Sequence, residues 1–565
     1  MTLPRRLLDA AGQPVPRQDI LRAKMRAQLN VPAGFPGTWQ RGEGGHGEGI
    51  ASPWPWDGAA WYSQDFGNWF PYIQSPDAEN DLDRDRMVAR TRDLARNDGW
   101  ARGILESMAD STVGAHFFPI PAPNWRVLAR LDPRLDSVWA EEFSSAVAAE
   151  WTLWADDPNR WCDASRTVTF TQMLRLAFLH KIRDGDALAV TLWDPGAIGE
   201  GGAHYATRIQ LIDPDRLSNP DEMIDQDRMR NGVEIDSLGA PVAYWIRRAE
   251  PNDWWHAALS MVWDRFPRET AWGRPIVVHD FPRDRAAQHR GVGLLLPVMA
   301  RFKMLSRFDQ VSLQRAVMQS LLGLWVKSPY DGDMVQQALA TEGESLGVYQ
   351  GMRGAYHSEK APLMLGGMRL PQLFSGESIE TVKADSTLSE FQVFEHAVLR
   401  SIAAATGMSA EEVSRDYSKT NYSSARAAML VAWKTLLRRR GEFASGFATP
   451  LYGAWLEEAI DLGRVPVPAS APAFADWRAA YARCRWIGPG RGWVDPMKER
   501  QGEVLGLDAG FSTLQSVCAE IGGADYRDVL EQRAREVAEM KRLGLSMPDW
   551  AGGSALPANK QMRPA

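Results

Sequence analysis

The stretch from Asp416 to Phe447 leaves the chain little conformational choice. Asn421, Ser423 and Ser424 are residues whose side-chain oxygens accept from the free N–H groups of a first helical turn. Beyond them, Ala425, Met429, Ala432, Leu436, Phe443 and Phe447 recur at three- and four-residue steps or their sum. That is the stripe of an amphipathic helix, expected over 424–447. Lys434, Arg438, Arg439 and Arg440 interrupt the stripe with charge. From periodicity alone this is a capped surface helix with a solvated basic patch.

The rest of the chain must supply what such a helix packs against. At 565 residues it is too long for one core, so several domains are expected. Hydrophobic content of 45% and charged content of 24% suit a folded soluble protein. The 24 tryptophans are an excess that favours broad packing surfaces or subunit interfaces. A net charge of −7 argues against wrapping nucleic acid through bulk positive charge. Cys162, Cys484 and Cys518 form no C-x-x-C pair, which fits a reducing compartment. There is no apolar run of signal-peptide or membrane-span length, so no membrane partner is expected.

Taken in order, residues 1–75 are rich in Pro, Gly and Trp and read as an irregular arm. Helices are expected over 80–109, with a break at Asn97-Asp98-Gly99, and over 135–154 and 170–183. Asp184-Gly185-Asp186 is a turn. Strands follow at 187–193 and 207–212, the latter stopping at Asp213-Pro214. Gly232–Ile235 and Pro241–Arg247 flank Asp236-Ser237-Leu238-Gly239, a hairpin signal. Another strand covers 276–281. Long helices are expected from Pro297 to Leu322 and from Leu388 to Thr406, with Gly407 as the C-terminal stop. Ser409 to Glu412 is a capping box. A further helix covers 451–462, then a Pro-rich linker, then a largely helical C-terminal part. The fold class is α+β, predominantly helical.

Several motifs that could carry chemistry lack the context it needs. Gly42 to Gly47 is formally G-x-G-x-x-G, but no strand precedes it and its setting is acidic. Gly343 to Gly347 is formally G-x-S-x-G around Ser345, but the residues before it read helical, where a nucleophile elbow needs a strand. Asp81, Asp83 and Asp85 mimic a calcium loop, yet Arg86 and Arg92 stand where Gly and the bidentate Glu belong. They read instead as acid at a helix start. There is no phosphate-binding loop and no H-E-x-x-H. No catalytic, cofactor-binding or metal-binding residue is expected, and the chain is not expected to be an enzyme.

Asp416-Tyr417-Ser418, then Asn421-Tyr422-Ser423-Ser424-Ala425-Arg426, resembles the signature of the lambda-type portal proteins of tailed bacteriophages. The resemblance returns at Arg92 to Asn97, Cys162-Asp163, Ile212 to Asp215, Ala243 to Ile246, Arg290-Gly291-Val292 and Asp495-Pro496 with Lys498-Glu499. These anchors run in one order over about residues 60 to 545. The chain departs from the pattern in its N-terminal arm and at Gly293, where a bulkier residue or Pro is expected.

The resemblance implies a homo-oligomeric ring, usually a dodecamer, with wing, long stem helices, a small clip and a helical crown. It implies a location at the portal vertex of the virion capsid, and in the host cytoplasm during assembly. Double-stranded DNA would pass through the axial channel without sequence specificity, packaged by the terminase and later ejected. The implied partners are the terminase large subunit, the major capsid protein and head–tail connector proteins. By analogy the chain divides into an arm (1–75), a first wing part (76–215), a clip-like β insertion (216–290) and a stem helix (291–325). A second wing part (326–463), a crown-like region (464–546) and a disordered tail (547–565) follow. The candidate clip hairpin carries Gly232, Asp236, Gly239, Tyr244 and Trp245. The candidate channel loop, 371–385, carries Glu377, Glu380, Lys383 and Asp385. The alternatives are another phage head or connector ring protein, or a DNA-acting metal-dependent hydrolase.

Overall fold

The computed structural model describes residues 73–199, 202–322, 388–418, 421–491, 496–522 and 525–545, with positions 71, 355 and 358 and two short strands within 363–370. Nearly all of the arm, the tail, the two formal glycine motifs and the whole candidate channel loop, with Glu377, Glu380, Lys383 and Asp385, lie outside these residues.

The helical body begins with α1 (Pro76–Asn80), α2 (Arg84–Asn97) and α3 (Gly99–Thr112). The break between α2 and α3 falls at Asp98, whose carboxylate accepts from Ala101 N at 2.9 Å and so caps α3. Two longer helices follow: α4 (Ser137–Ala155), capped by Asp136, and α5 (Phe170–Arg183), opened by a Thr169–Gln172 capping box. Their apolar faces meet in one core with Ile104, Met108, Phe143, Phe178, Phe443 and Phe447. At its centre the Trp151 ring lies 4.9 Å from Phe170, 5.0 Å from Trp455 and 5.1 Å from Trp154. These tryptophans are core anchors, one of the broad packing surfaces expected from their number.

Antiparallel strands β2 (Ala187–Trp193), β3 (Thr207–Ile212) and β8 (Val277–Asp280) form a sheet in the order β3-β2-β8. Between β3 and β8 the chain inserts a second antiparallel sheet of β4 (Met229–Arg230), β5 (Val233–Ile235), β6 (Pro241–Arg247) and β7 (Trp263–Pro267). The expected hairpin is present, with Val233 opposite Tyr244. Asp236 holds its turn by accepting from Leu238 N and Ala240 N, each at 2.8 Å, and Gly239 takes φ +83°. This second sheet does not stand apart from the body. Val233, Ile235, Tyr244 and Ile246 share one core with Leu188, Val190, Ile212 and Val277 of the first sheet. A two-stranded pair also joins β1 (Phe118–Pro121) to Cys484–Ile487, with Phe118 opposite Ile487.

Helix α6 (Met299–Leu322) follows a 3-10 turn at Leu296–Val298, and α7 (Leu388–Thr406) follows later in the chain. The two helices pack on each other through Phe308 and Phe394, whose rings are 4.4 Å apart. Phe302 and Leu305, early in α6, are buried, as are Val398, Leu399, Ile402 and Ala403, late in α7. Farther along α6, Val311 and Leu313 are exposed, and so is Val393 toward the start of α7. The two helices are therefore rooted at opposite chain ends and run antiparallel, as a stalk.

After a short helix α8 (Ala410–Ser414) comes α9 (Tyr422–Phe443), the expected signature helix. It does not end at 447. A π-helical turn at Ala444–Ala448 carries it directly into α10 (Thr449–Asp461). Pro450 has no N–H to give, so the wider turn beside it accommodates a residue that would break a regular helix. Nor is the basic patch wholly solvated. Arg440 is buried over the C-terminal end of α3, donating to the carbonyls of Ser111 (2.7 Å), Thr112 (3.0 Å) and Pro489 (2.8 Å). Arg439 donates to the Thr406 carbonyl at 2.8 Å. Only Lys434 and Arg438 of the four face solvent.

Among the described residues no helix is long and apolar enough to cross a membrane. Mixed helix and sheet with helix predominating is the observed class, in line with expectation.

Candidate functional site: a buried node of charge

Strand β2 opens directly from the Asp184-Gly185-Asp186 turn, and that turn is the centre of a dense buried polar network. Asp186 is fully buried. Its Oδ2 accepts from Arg84 at 2.7 Å and from Arg290 Nε at 2.8 Å; its Oδ1 accepts from Gly291 N at 2.7 Å and lies 3.2 Å from His279 Nε2. Burial alone would raise this carboxyl, but the Arg290 and Arg84 charges overcome it and hold it well below the usual range. Arg290 spends its remaining donors on the carbonyls of Pro214 (3.0 Å), Leu217 (2.7 Å) and Asn231 (2.8 Å). A guanidinium with this many fixed acceptors is a rigid brace.

The second carboxylate of the turn does the same for α2. Asp184 accepts from Arg92 (2.9 Å), Arg183 (2.7 Å) and His180 (2.7 Å). Burial would raise it, and the hydrogen bonds from Arg183, His180 and Arg92 bring it far below the usual range. Arg92 reaches on to Asp213 (2.9 Å) and Asp215 (2.6 Å). Alongside, Lys181 pairs with Asp280 at 2.7 Å, beside the π-helical turn.

Glycine makes the close approach possible. Gly185 has φ +100°, and a Cβ there would lie 2.5 Å from the Gly291 carbonyl oxygen. A Cβ on Gly293 would overlap the Arg183 carbonyl oxygen. The expectation of a bulkier residue at 293 is therefore corrected: the backbone of α5 leaves no room for one.

The node gathers Arg92, Ile212 to Asp215 and Arg290 to Val292, three of the sequence anchors far apart in the chain. Tyr244 is buried against His279, ring centroids 5.6 Å apart. Trp245 is half-buried on the same strand. Gly232, at φ +86°, donates its N–H to Asn219 at 2.6 Å. Asp163 instead braces its own loop through Ser165 and Thr167.

The 416–426 signature does not join the node. Asp416 accepts from Ser418 N at 2.9 Å, and Asn421 caps α9 by accepting from Ser424 N at 2.8 Å. Tyr417, Ser418, Ser423 and Ser424 are exposed; Ala425 and Arg426 are half-buried. Tyr422 is the first residue of α9. Sequence reasoning missed Arg84, His279 and Asn231. The available signal was the Asp-Gly-Asp turn, whose paired carboxylates entering an apolar strand require buried cations.

The node's carboxylates face arginines, Lys181, histidines and backbone N–H groups, while the buried Arg84 Nε meets no acceptor. Among the described residues no group of three or more His, Cys, Asp or Glu side chains could hold a metal ion.

A family model for the phage portal protein, lambda family, matches residues 62–440. The portal protein of Escherichia phage N15 is 33% identical over 492 residues, covering 86% of this chain and 90% of the relative. Portal protein B of Escherichia phage lambda is 32% identical over 503 residues, covering 88% and 92%. The chain belongs to the lambda family of phage portal proteins. Among solved structures it is similar to a chain of the neck of a native gene transfer agent particle, at TM-score 0.33 and 14% identity, covering 69% of this chain and 87% of that one. A chain of a native gene transfer agent virion gives TM-score 0.35 at 15% identity, covering 78% and 94%.

Proposed function

We propose that this chain closes into a dodecameric ring at one capsid vertex. Its axial channel passes double-stranded DNA inward under the terminase large subunit and outward at ejection. The major capsid protein surrounds the ring, and head–tail connector proteins dock on it after packaging. The chain acts by assembly and contact rather than by catalysis.

The stalk is the observation that carries this reading beyond family membership. Val311 at 56%, Leu313 at 60% and Val393 at 69% exposure are apolar side chains that a subunit beside the stalk would cover. A charge of −7 per subunit, repeated around a ring, gives a repulsive overall field that disfavours gripping the DNA.

The clip-like insertion at 216–290 is one candidate for the surface that docks the terminase, and its sheet shares a core with the first sheet. A second candidate is the segment between α6 and α7, which includes the antiparallel strand pair Leu363–Leu365 and Met368–Leu370. The channel loop is assigned to 371–385 as the sequence suggests. Replacing 363–370 by a short linker should leave rings intact and abolish terminase retention in a pull-down. Trp254 and Trp255 are exposed in the insertion, and if a Trp254→Ser, Trp255→Ser chain loses terminase instead, docking belongs to the insertion.

A further inference from the structure

Helix α1 and the turn after it are attached to the β insertion by contacts of two kinds. The outer ones are salt bridges and a hydrogen bond made by arginines. Arg285 pairs with Glu79 at 2.6 Å and donates to the Gln74 carbonyl at 3.1 Å, and Arg230 lies 3.6 Å from Asp77.

The inner ones depend on protons. His289 points Nδ1 at the Asp77 carboxylate (2.8 Å) and Nε2 at the Gly239 carbonyl (3.1 Å) in the hairpin turn. Both neighbours are acceptors. The imidazolium satisfies both with its two N–H groups, whereas a neutral imidazole facing a carboxylate and a carbonyl would set a lone pair against one of them. The His289 backbone N–H also donates to Asp77, at 2.9 Å.

Four residues after Asp77, Asp81 faces Asp225. Asn231, at φ +43°, stands between them: its backbone N–H donates to Asp225 at 2.8 Å and its side-chain amide to Asp81 at 3.3 Å. The other Asp81 oxygen is buried and meets no donor. Two carboxyl groups in such a site hold one proton between them. Burial, then the hydrogen bond and charge of Asp225, push Asp81 up to about 7. The Asp77 hydrogen bond raises His289 above its ordinary value. The other charges facing these groups are Arg230 and Arg290.

We propose that α1 and the turn after it are held on the β insertion by a proton-dependent latch, built from the Asp81–Asp225 carboxyl pair and the His289 bridge between Asp77 and Gly239, which opens as the medium becomes alkaline. In both groups the folded state binds the proton more tightly than the unfolded chain does. The stabilisation is therefore present on the acid side and is lost as pH rises through the folded values. Deprotonation sets carboxylate against carboxylate at one contact and lone pair against carbonyl at the other. The Asn231 carbonyl and side-chain oxygen both accept from Arg290, so the opening reaches the node at Asp186.

The test is hydrogen exchange by mass spectrometry on the full chain at about pH 6 and about pH 8.5, corrected for intrinsic exchange. Wild-type amides of Gln74–Asp83 and Asn231–Gly239 should lose protection about tenfold or more at the higher pH, while Phe170–Arg183 keeps its protection. Asp81→Asn, whose amide donates to Asp225 at any pH, should flatten most of that change. His289→Gln should already show the low protection at the acid value. Equal wild-type protection at both pH values overturns the latch, and that comparison needs no variant. An undiminished pH response in the Asp81→Asn chain overturns the carboxyl pair. Wild-type protection of His289→Gln at acid pH removes the His289 bridge.

Discussion

Gly185 and Gly291 meet backbone against backbone, and neither position has room for a side chain. That contact seats the Asp184-Gly185-Asp186 turn against the segment leading to the stalk, so that Arg290 reaches Asp186 from one side and Arg84 from the other. Helix α2, both sheets and the root of the stalk thus share one buried joint.

Gly291→Ala should destabilise the chain by about 2 kcal/mol or more, because its Cβ would overlap the Gly185 carbonyl oxygen. Gly103→Ala, in α3 with nothing within 4 Å of its added Cβ, should be neutral or stabilising by about 0.5–1 kcal/mol. Thermal and denaturant unfolding of the two chains check the contrast. A Gly291→Ala chain as stable as wild type would mean the close approach is not needed.

Asp186→Ala would leave Arg84 and Arg290 buried without their shared carboxylate. A loss of about 3–5 kcal/mol is expected, since removing one member of a buried charge group strands the others. Denaturant unfolding measures it, and a loss below about 1 kcal/mol would show that water or local opening already solvates the arginines.

Acid should undo the other half of the turn. Asp184 has a folded-state value far below the ordinary 3.8, so its stabilisation is present above that value and lost as pH falls beneath it. Stability followed by denaturant unfolding from neutral to strongly acid pH should drop more steeply in the wild type than in Asp184→Asn. Parallel curves would contradict the assignment.

Along α9 the arginines should separate. Arg440→Ala removes a buried cation bonded to three carbonyl oxygens and should cost about 2–3 kcal/mol. Arg438→Ala removes an exposed i,i+4 pair with Glu442 and should change stability by under about 0.5 kcal/mol. Unfolding midpoints decide it.

The pair Arg440 and Arg438 also shows what a sequence conceals. Both interrupt an apolar stripe, and periodicity treats them alike; only the approach of the α3 C-terminus buries one and not the other. Local signals were legible wherever a short-range rule decides the outcome. Phe170–Arg183, Ala187–Trp193, Thr207–Ile212, Leu388–Thr406, the Asp98 break and the Ser409–Glu412 box all stand where capping and periodicity put them. Strands Phe118–Pro121 and Cys484–Ile487 were missed because each is short and its partner lies at the other end of the fold. The continuation through Ala444–Ala448 was missed because Pro450 reads as a stop unless a π turn precedes it. In the node, Arg92, Asp213, Asp215 and Arg290 were visible as anchors, but not that they converge, since convergence is a property of tertiary packing.

The exposed signature turn offers a contrast with the buried node. Tyr417→Ala with Ser418→Ala should leave unfolding unchanged within about 0.5 kcal/mol, because both side chains face solvent. Shortening 371–385 should leave rings and prohead assembly intact and lower the DNase-protected DNA in assembled heads. If the signature variant lowers protected DNA and the shortened loop does not, the channel constriction belongs to the turn before α9.

Negative-stain imaging of the purified full-length chain is the most direct test of the ring. The account predicts closed annular particles with a stain-filled central hole, and twelvefold symmetry in end-on class averages. Compact particles of single-chain size under all assembly conditions, with no annular class, would contradict it.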